Sequence, residues 1–215
     1  MSTPDALEPV SAELQTLVGA IDIYLFDQLL RGAFDARRRV LDAGCGGGRN
    51  LPYFLQRGYD ICAVDLDPAA VAAVRRLLAR LAPQLPADNV VQGAVEALPW
   101  PDGAFDAVLA SALLHFADDE VHFGRMVSEL WRVLAPGGLF FARLASSIGL
   151  EARLPAARGR MRLPDGTDRF VADEPLLLEW TARLGGALTD PLKTTIVQGQ
   201  RCMTTWCVEK RLVRR

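Results

Sequence analysis

One glycine-rich stretch, Arg39 to Asn50, constrains the fold of this chain more than any other feature. It reads RVLDAGCGGGRN, a short apolar run that ends in an aspartate and leads directly into a loop rich in glycine. Glycine tolerates positive φ and lets a ligand approach the backbone closely. An apolar strand that enters such a loop, with a helix after it, is typical of the ligand-binding corner of a doubly wound α/β sheet.

The spacing of the glycines narrows the class of ligand. A phosphate-binding P-loop needs lysine and then serine or threonine after its glycines, whereas Arg49 and Asn50 stand here. A dinucleotide fingerprint, G-x-G-x-x-G, needs a glycine where this chain has Arg49. The pattern excludes a P-loop and departs from the dinucleotide motif. The class of ligand must therefore be inferred from the charged residues that flank the loop.

Two carboxylates flank the loop. Asp42 ends the first apolar run, where it would repel a pyrophosphate and suit a ligand that brings positive charge. Asp65 ends a second apolar run, where a carboxylate can accept both ribose hydroxyls of an adenosine. Together they favour an adenosine ligand with a cationic tail, a description that S-adenosylmethionine fits.

Four stretches in this order carry a resemblance to a known family: VLDAGCGGGRN, AVDLDPAAV, ALPWPDGAFDAVLASALLHF and ELWRVLAPGG. The chain resembles the class I S-adenosylmethionine-dependent methyltransferases over roughly residues 39 to 144. It looks most similar to their small-molecule branch, which includes the tellurite-resistance-type methyltransferases. The resemblance implies an α/β fold with a doubly wound, Rossmann-like, seven-stranded sheet, mostly parallel with an antiparallel C-terminal strand.

The resemblance also implies the cofactor, S-adenosyl-L-methionine, and a set of binding residues. Arg49 is expected either to pair with Asp42 or to reach the methionine carboxylate. The family usually places an acid where this chain has Ala94, so Glu96 is a candidate to replace it at the adenine. The predicted cofactor-binding residues are Asp42, Gly44, Cys45, Gly46, Arg49, Asp65, Leu66, Val95, Glu96 and Ser111.

Methyl transfer from a sulfonium is an in-line displacement, so the protein needs alignment and a water-poor site rather than a nucleophile or a metal. A base is required only if the acceptor arrives protonated. His115, just past the fourth predicted strand, is the candidate base, with packing against the cofactor as the alternative. His122 is expected on the surface of the next helix.

The 215 residues are expected to form a single methyltransferase domain. Residues 1–36 are predicted to be a helical lid segment, with Tyr24 as a candidate substrate contact. Residues 145–172, rich in arginine, are predicted to be a loop insertion over the site. Arg143 and Arg169 are further substrate candidates, and the arginines allow an anionic acceptor, although a solvated loop is the simpler interpretation.

Composition limits the possible binding partners and the cellular location. The net charge is −2, so no global electrostatic argument favours nucleic acid. The N-terminus lacks the pattern of a signal peptide, and no apolar stretch is long enough to cross a membrane. The four cysteines lack metal-ligand spacing and are expected to be buried thiols in a cytoplasmic protein. The oligomeric state is not readable.

Three functions remain open at this stage. The first is an enzyme that methylates a small molecule. The second is a methyltransferase acting on nucleic acid or protein, although SALLHF after the fourth strand does not match a base-methylating motif. The third is a cofactor-binding module without catalysis, which only Ala94 favours.

Overall fold

The computed structural model describes residues 10–156 and 158–212. Residues 1–9 of the predicted lid segment therefore lie outside the described part. The helices in the described part are α1 Val10–Val18, α2 Ile23–Leu30, α3 Pro52–Gln56, α4 Pro68–Leu81, α5 Glu120–Val133 and α6 Glu174–Arg183. The strands are β1 Arg39–Ala43, β2 Asp60–Asp65, β3 Val90–Gln92, β4 Phe105–Ser111, β5 Leu134–Ala145, β6 Gly159–Arg162, β7 Asp168–Val171, β8 Gly186–Leu188, β9 Lys193–Val197 and β10 Arg201–Lys210.

The central sheet has the strand order β3-β2-β1-β4-β5-β10-β8, with β9 also paired to β10. Strands β1 to β5 pair in parallel, and β10 runs antiparallel to β5. The order reverses beside β1, which places a crevice at the carboxyl ends of β1 and β4. The predicted α/β Rossmann-like fold is confirmed.

Strands β8 and β9 occupy the same edge of β10. Val208 to Lys210 pair with β8, and Arg201 to Thr205 pair with β9. The sheet therefore has seven positions across, as predicted, although its last position is split into two short strands. The sequence did not indicate β8, a strand of only three residues that begins at Gly186.

Each long helix begins at an aspartate that caps it. Asp67 accepts from Ala69 N at 2.8 Å before the proline that opens α4. Asp119 accepts from His122 N at 2.7 Å, and Asp173 accepts from Leu176 N at 2.9 Å. These caps fix where α4, α5 and α6 begin.

The core forms two layers, one on each face of the sheet. On one face α5 and α6 pack their apolar residues onto the strands, and Phe123 stacks on Phe170 of β7 with ring centroids 5.0 Å apart. On the other face α2, α3 and α4 cover β1 and β2, with Phe54 between Phe34 and Tyr59. Helices on both faces of a parallel sheet explain the nearly continuous apolar character of its strands.

The predicted loop insertion, residues 145–172, contains more structure than expected. Strands β6 and β7 form an antiparallel hairpin, and Phe170 and Val171 on β7 are completely buried. Weak periodicity hid this hairpin, since β6 is only four residues long and mostly polar. Apolar anchoring of β7 makes the segment a fixed wall rather than a solvated loop.

Three further expectations concern membrane crossing, metal binding and the state of the cysteines. No helix among them is long and apolar enough to cross a membrane. They contain no group of three or more His, Cys, Asp or Glu side chains placed to hold a metal ion. All four cysteines are free and buried, as expected.

Candidate functional site

The glycine loop after β1 takes a conformation that needs its glycines. Gly44, Gly46 and Gly48 have φ values of +66°, +50° and +78°, a region that side chains other than glycine rarely adopt. A Cβ at Gly44 would also lie 2.7 Å from Leu113 Cδ1. The loop is anchored to the sheet by a hydrogen bond from Gly44 N to Val64 O at 2.8 Å.

Asp65 lies at the end of β2, beside this loop. Its Oδ2 accepts from Gly46 N at 2.8 Å, and its Oδ1 accepts from Asp67 N at 3.0 Å. Each carboxylate oxygen has two lone pairs, so both retain a free acceptor site. The side chain is therefore fixed in place and still able to accept two hydroxyl groups.

Eight of the ten predicted cofactor-binding residues line one cavity of about 410 Å³. Asp42 and Cys45 are buried behind the wall instead. Leu66 is exposed at the rim. The full lining is Gly44, Gly46, Arg49, Asp65, Leu66, Gly93, Val95, Glu96, Ser111, Ala112, Leu113, Phe116, His122 and Met126, and we call this space the first cavity.

Asp42 is a buried carboxylate with an unsatisfied oxygen. Its exposed fraction is 1 %, and no atom of the described residues bonds its Oδ2. Burial raises the pKa of Asp42 to about 7, against the attraction of nearby Arg49. An acid held in this state favours a cationic ligand, because a positive charge would recover the lost solvation.

Of the two partners expected for Arg49, Asp42 makes no hydrogen bond with it among the described residues. Arg49 instead donates to Ser111 Oγ at 2.9 Å and to Asp22 Oδ2 at 3.3 Å. Asp22 caps α2, accepting from Tyr24 N at 3.0 Å. Sequence analysis did not single out Asp22, because its partners are distant in the chain.

The far end of the first cavity has an unexpected pair of side chains. Ala94 offers no acceptor, but Glu96 bonds His122 Nε2 through its Oε1. His122 Nδ1 lies 3.1 Å from the backbone nitrogen of Asp118 and 3.2 Å from Asp118 Oδ2, so contacts on both ring nitrogens hold the imidazole in place. The prediction that His122 lies on the surface is therefore wrong, since its side chain is 17 % exposed and lines the cavity.

A second cavity of about 390 Å³ adjoins the first. The two share Ala112 and Phe116 in their walls. Ala112 has φ of +63°, and such strain in a residue other than glycine often marks a functional site. The second cavity is lined by Ala112, His115, Phe116, Arg143, Ala145, Leu163, Asp165, Thr167, Arg169, Thr195, Val197, Arg201, Cys202 and Met203.

His115, the predicted base, lies in the second cavity and not beneath the first. Its exposed fraction is 6 %, and its Nδ1 has no partner among the described residues. Burial, helped by the positive charge of Arg169, lowers the pKa of His115 to about 4. The imidazole is therefore neutral near pH 7, able to accept a hydrogen bond but weakly basic.

Two of the three predicted substrate residues, Arg143 and Arg169, line the same cavity. Arg143 contacts Asp22 at 3.0 Å and lies over the ring of Tyr24, 5.0 Å from its centroid. Tyr24 itself does not line the cavity, but its hydroxyl bonds Thr195, which does. Arg169 lies 5.0 Å from the ring centroid of Phe116 and has no carboxylate partner within the described ranges.

Comparison with known proteins identifies the domain. Residues 41–142 match the family model of the methyltransferase domain. Over this region the chain is similar to a methyltransferase domain. The match and the fold support the class I S-adenosylmethionine-dependent methyltransferase that the sequence predicted.

Two curated relatives share this domain. A malonyl-[acyl-carrier protein] O-methyltransferase of Enterobacter lignolyticus is 35 % identical over 153 residues, covering 68 % of this chain and 55 % of the relative. An uncharacterised methyltransferase of Mycobacterium tuberculosis is 37 % identical over 158 residues, covering 68 % and 59 %. The chain spans about half the length of the curated relatives it matches.

A solved structure extends the likeness to nearly the whole fold. The 1,6-didemethyltoxoflavin-N1-methyltransferase of Burkholderia thailandensis, solved with 1,6-didemethyltoxoflavin and S-adenosylhomocysteine, superposes with a TM-score of 0.64. Sequence identity is 21 %, and the match covers 99 % of this chain and 94 % of the other. At this identity the likeness establishes the fold.

Proposed function

We propose that this chain transfers the methyl group of S-adenosylmethionine in line to a small-molecule acceptor. One observation carries the proposal: the cavity at the glycine loop, backed by an acid whose Oδ2 has no partner among the described residues, adjoins a second cavity, with Ala112 and Phe116 in the walls of both. The first cavity has the charge expected for a cationic adenosine ligand. The second offers room for a separate small molecule beside it.

The residues present fit the cofactor. Asp65 would accept its ribose hydroxyls, and Asp42 would compensate the ammonium group from behind the loop. Arg49 would reach its carboxylate. At the adenine, the Val95 N–H would donate to a ring nitrogen and Glu96, oriented by His122, would accept from the amino group.

The bound cofactor supplies an electrophilic methyl group, and the residues of this chain supply alignment and exclusion of water. Phe116 and Ala112 would frame the passage between the cavities. His115 would accept a hydrogen bond from the acceptor through its free Nδ1. Because its pKa is about 4, it is a weak base, and the site favours acceptors that need little help to lose a proton.

We further propose that the acceptor is anionic. Arg169 makes no ion pair in the part of the chain that the structure describes, and it faces the second cavity with Arg143 and Arg201. The one acid in this wall, Asp165, lies 4.0 Å from Arg201 and is close enough for Arg169 to lower its pKa, so the arginines still outnumber the acids. An acidic acceptor would supply the missing partner and bind through charge-assisted hydrogen bonds. The relative from Enterobacter is named for a carrier-bound acid, which is compatible with an anionic acceptor here.

We also propose three more specific features that the sequence predicted. They are the small-molecule branch similar to the tellurite-resistance-type enzymes, a cytoplasmic location, and residues 1–36 and 145–172 as segments covering the site. The contacts of Asp22 and Tyr24 with residues at the two cavities support a covering role for α2.

Calorimetric titration tests the choice of cofactor. S-adenosylhomocysteine is expected to bind with one site per chain, whereas NAD and ATP are expected not to bind, since Asp42 would repel their phosphates. Tight binding of either phosphate ligand in preference to S-adenosylhomocysteine would overturn the proposal. Transfer of a radiolabelled methyl group to a panel of small acids then separates an enzyme from a module that only binds.

A further inference from the structure

Asp22 occupies a position that the proposed chemistry has not yet used. Its side chain is completely buried at the start of α2. One oxygen, Oδ2, accepts from Arg143 at 3.0 Å, Ser111 Oγ at 3.2 Å and Arg49 at 3.3 Å. The other oxygen caps the helix through Tyr24 N at 3.0 Å.

The two arginines at Asp22 come from different cavities. Arg49 lines the first cavity and Arg143 lines the second. Both reach the same oxygen atom, so two like charges are held as neighbours. One carboxylate compensates one of the two guanidinium groups, and a single positive charge is left over for a ligand anion.

The two guanidinium groups differ in how firmly they are held without Asp22. Arg143 is 19 % exposed and also rests against the ring of Tyr24. Arg49 is 45 % exposed, and its other side-chain bond is to Ser111. Loss of the Asp22 charge would therefore release Arg49 more than Arg143.

We propose that Asp22 is a positioning residue that aims Arg49 at the amino-acid carboxylate of the cofactor while it holds Arg143 at the acceptor cavity. Asp22 N also donates to Asn50 Oδ1 at 3.0 Å, which ties the start of α2 to the glycine loop. The lid helix thereby orders a binding group in each cavity. This inference rests on the proposed function, because it assigns the cofactor's carboxylate to Arg49.

Two probe ligands separate positioning from a general structural role. S-adenosylhomocysteine carries the amino-acid carboxylate, whereas 5′-methylthioadenosine keeps the adenosine and the sulfur but lacks that group. Asp22→Asn removes the charge and retains a good helix cap. It is expected to raise the Kd of S-adenosylhomocysteine about tenfold and to change that of 5′-methylthioadenosine less than about twofold, since only the former needs an ordered Arg49.

Asp27→Asn is the matched control. Asp27 lies on the same helix and pairs with Lys193 at 2.9 Å and Arg31 at 3.1 Å, outside both cavities. It makes the same change of charge, yet should leave the ratio of the two Kd values unaltered. Melting temperatures verify that each variant is folded, and Asp22→Ser, another strong cap, repeats the test if the asparagine variant is not.

The outcomes are distinguishable. An equal loss for both ligands would reduce Asp22 to a structural role, and tighter binding of S-adenosylhomocysteine would mean that Asp22 competes with the ligand for Arg49. Either result overturns the inference while leaving the proposed function intact. Failure of the unaltered protein to bind S-adenosylhomocysteine would overturn both.

Discussion

The two adjoining cavities are built from different kinds of sequence. The first is assembled from the loops that follow β1, β2 and β4, whose spacing along the chain forms recognisable motifs. The second draws on the hairpin β6–β7 and on β9 and β10, which lie far apart in sequence and carry no motif. The contrast explains why the sequence indicates a cofactor clearly and an acceptor only as a class.

The cavities also differ in charge. A buried acid whose pKa is raised lies behind the first, and a buried neutral histidine whose pKa is lowered lies in the second. Burial causes both shifts, but the pH dependence that each contributes to stability has the opposite sign. Substitutions in the two cavities can therefore be told apart by pH alone.

The largest effect is expected from Asp42→Asn. The unfolded carboxyl ionises near pH 3.8 and the folded one near 7, so folding loses about 4 kcal/mol as pH rises through this window. Asparagine cannot ionise, so the variant should be more stable than the unaltered protein at pH 8, measured by urea unfolding. A variant that is less stable at pH 8 than at pH 5 by the same margin as the parent would contradict this.

His115→Leu is expected to act in the opposite direction. The unfolded imidazole gains its proton near pH 6.5 and the folded one near 4, so the unaltered protein loses about 3 kcal/mol of stability between these values as pH falls. The variant should lack that loss in acid unfolding curves. Its affinity for S-adenosylhomocysteine at pH 7.5 should stay unchanged, because His115 lines the other cavity.

Asp65→Ala is expected to weaken binding of S-adenosylhomocysteine by about 1–3 kcal/mol, the range for losing hydrogen bonds to a charged group. Asp60→Ala is the matched control. Asp60 lies at the amino end of the same strand, away from both cavities, and pairs with Arg39 at 3.1 Å. Calorimetry should show a normal Kd for the control. Equal losses in both variants would remove Asp65 from the site.

The smallest effect is expected from Arg169→Gln. The substitution removes the cation over Phe116, a contact that contributes about 0.5–1 kcal/mol to stability. Binding of S-adenosylhomocysteine should not change, whereas transfer to acidic acceptors should fall. A marked loss of S-adenosylhomocysteine affinity would mean that the two cavities do not divide the ligands as described.

What the sequence predicted correctly also depends on whether the signal is local or comes from contacts between distant parts of the chain. Strands β1 and β2 coincide with the two apolar runs at Asp42 and Asp65, because an apolar run is a local signal. Arg49 lines the same cavity as most of the predicted cofactor-binding residues, but its acidic partner is Asp22, which the sequence did not indicate, since charge pairing across the fold has no local signature.

His122 shows a similar limit. Its position near the start of a polar helix suggested a surface residue, and only the tertiary contact with Glu96 reveals its place in the cavity wall. The hairpin β6–β7 was missed for a related reason, because its burial depends on contacts with α5 rather than on its own composition. Local patterns identify elements and motifs, whereas contacts between residues distant in sequence are identified only from the three-dimensional structure.

A crystal structure with S-adenosylhomocysteine tests the central claim most directly. The account expects the ribose hydroxyls on Asp65, the adenine beside Val95 and Glu96, and the sulfur directed past Ala112 toward the second cavity. A ligand seated in the second cavity, or a sulfur that points away from it, would contradict the assignment of one cavity to the cofactor and the other to the acceptor.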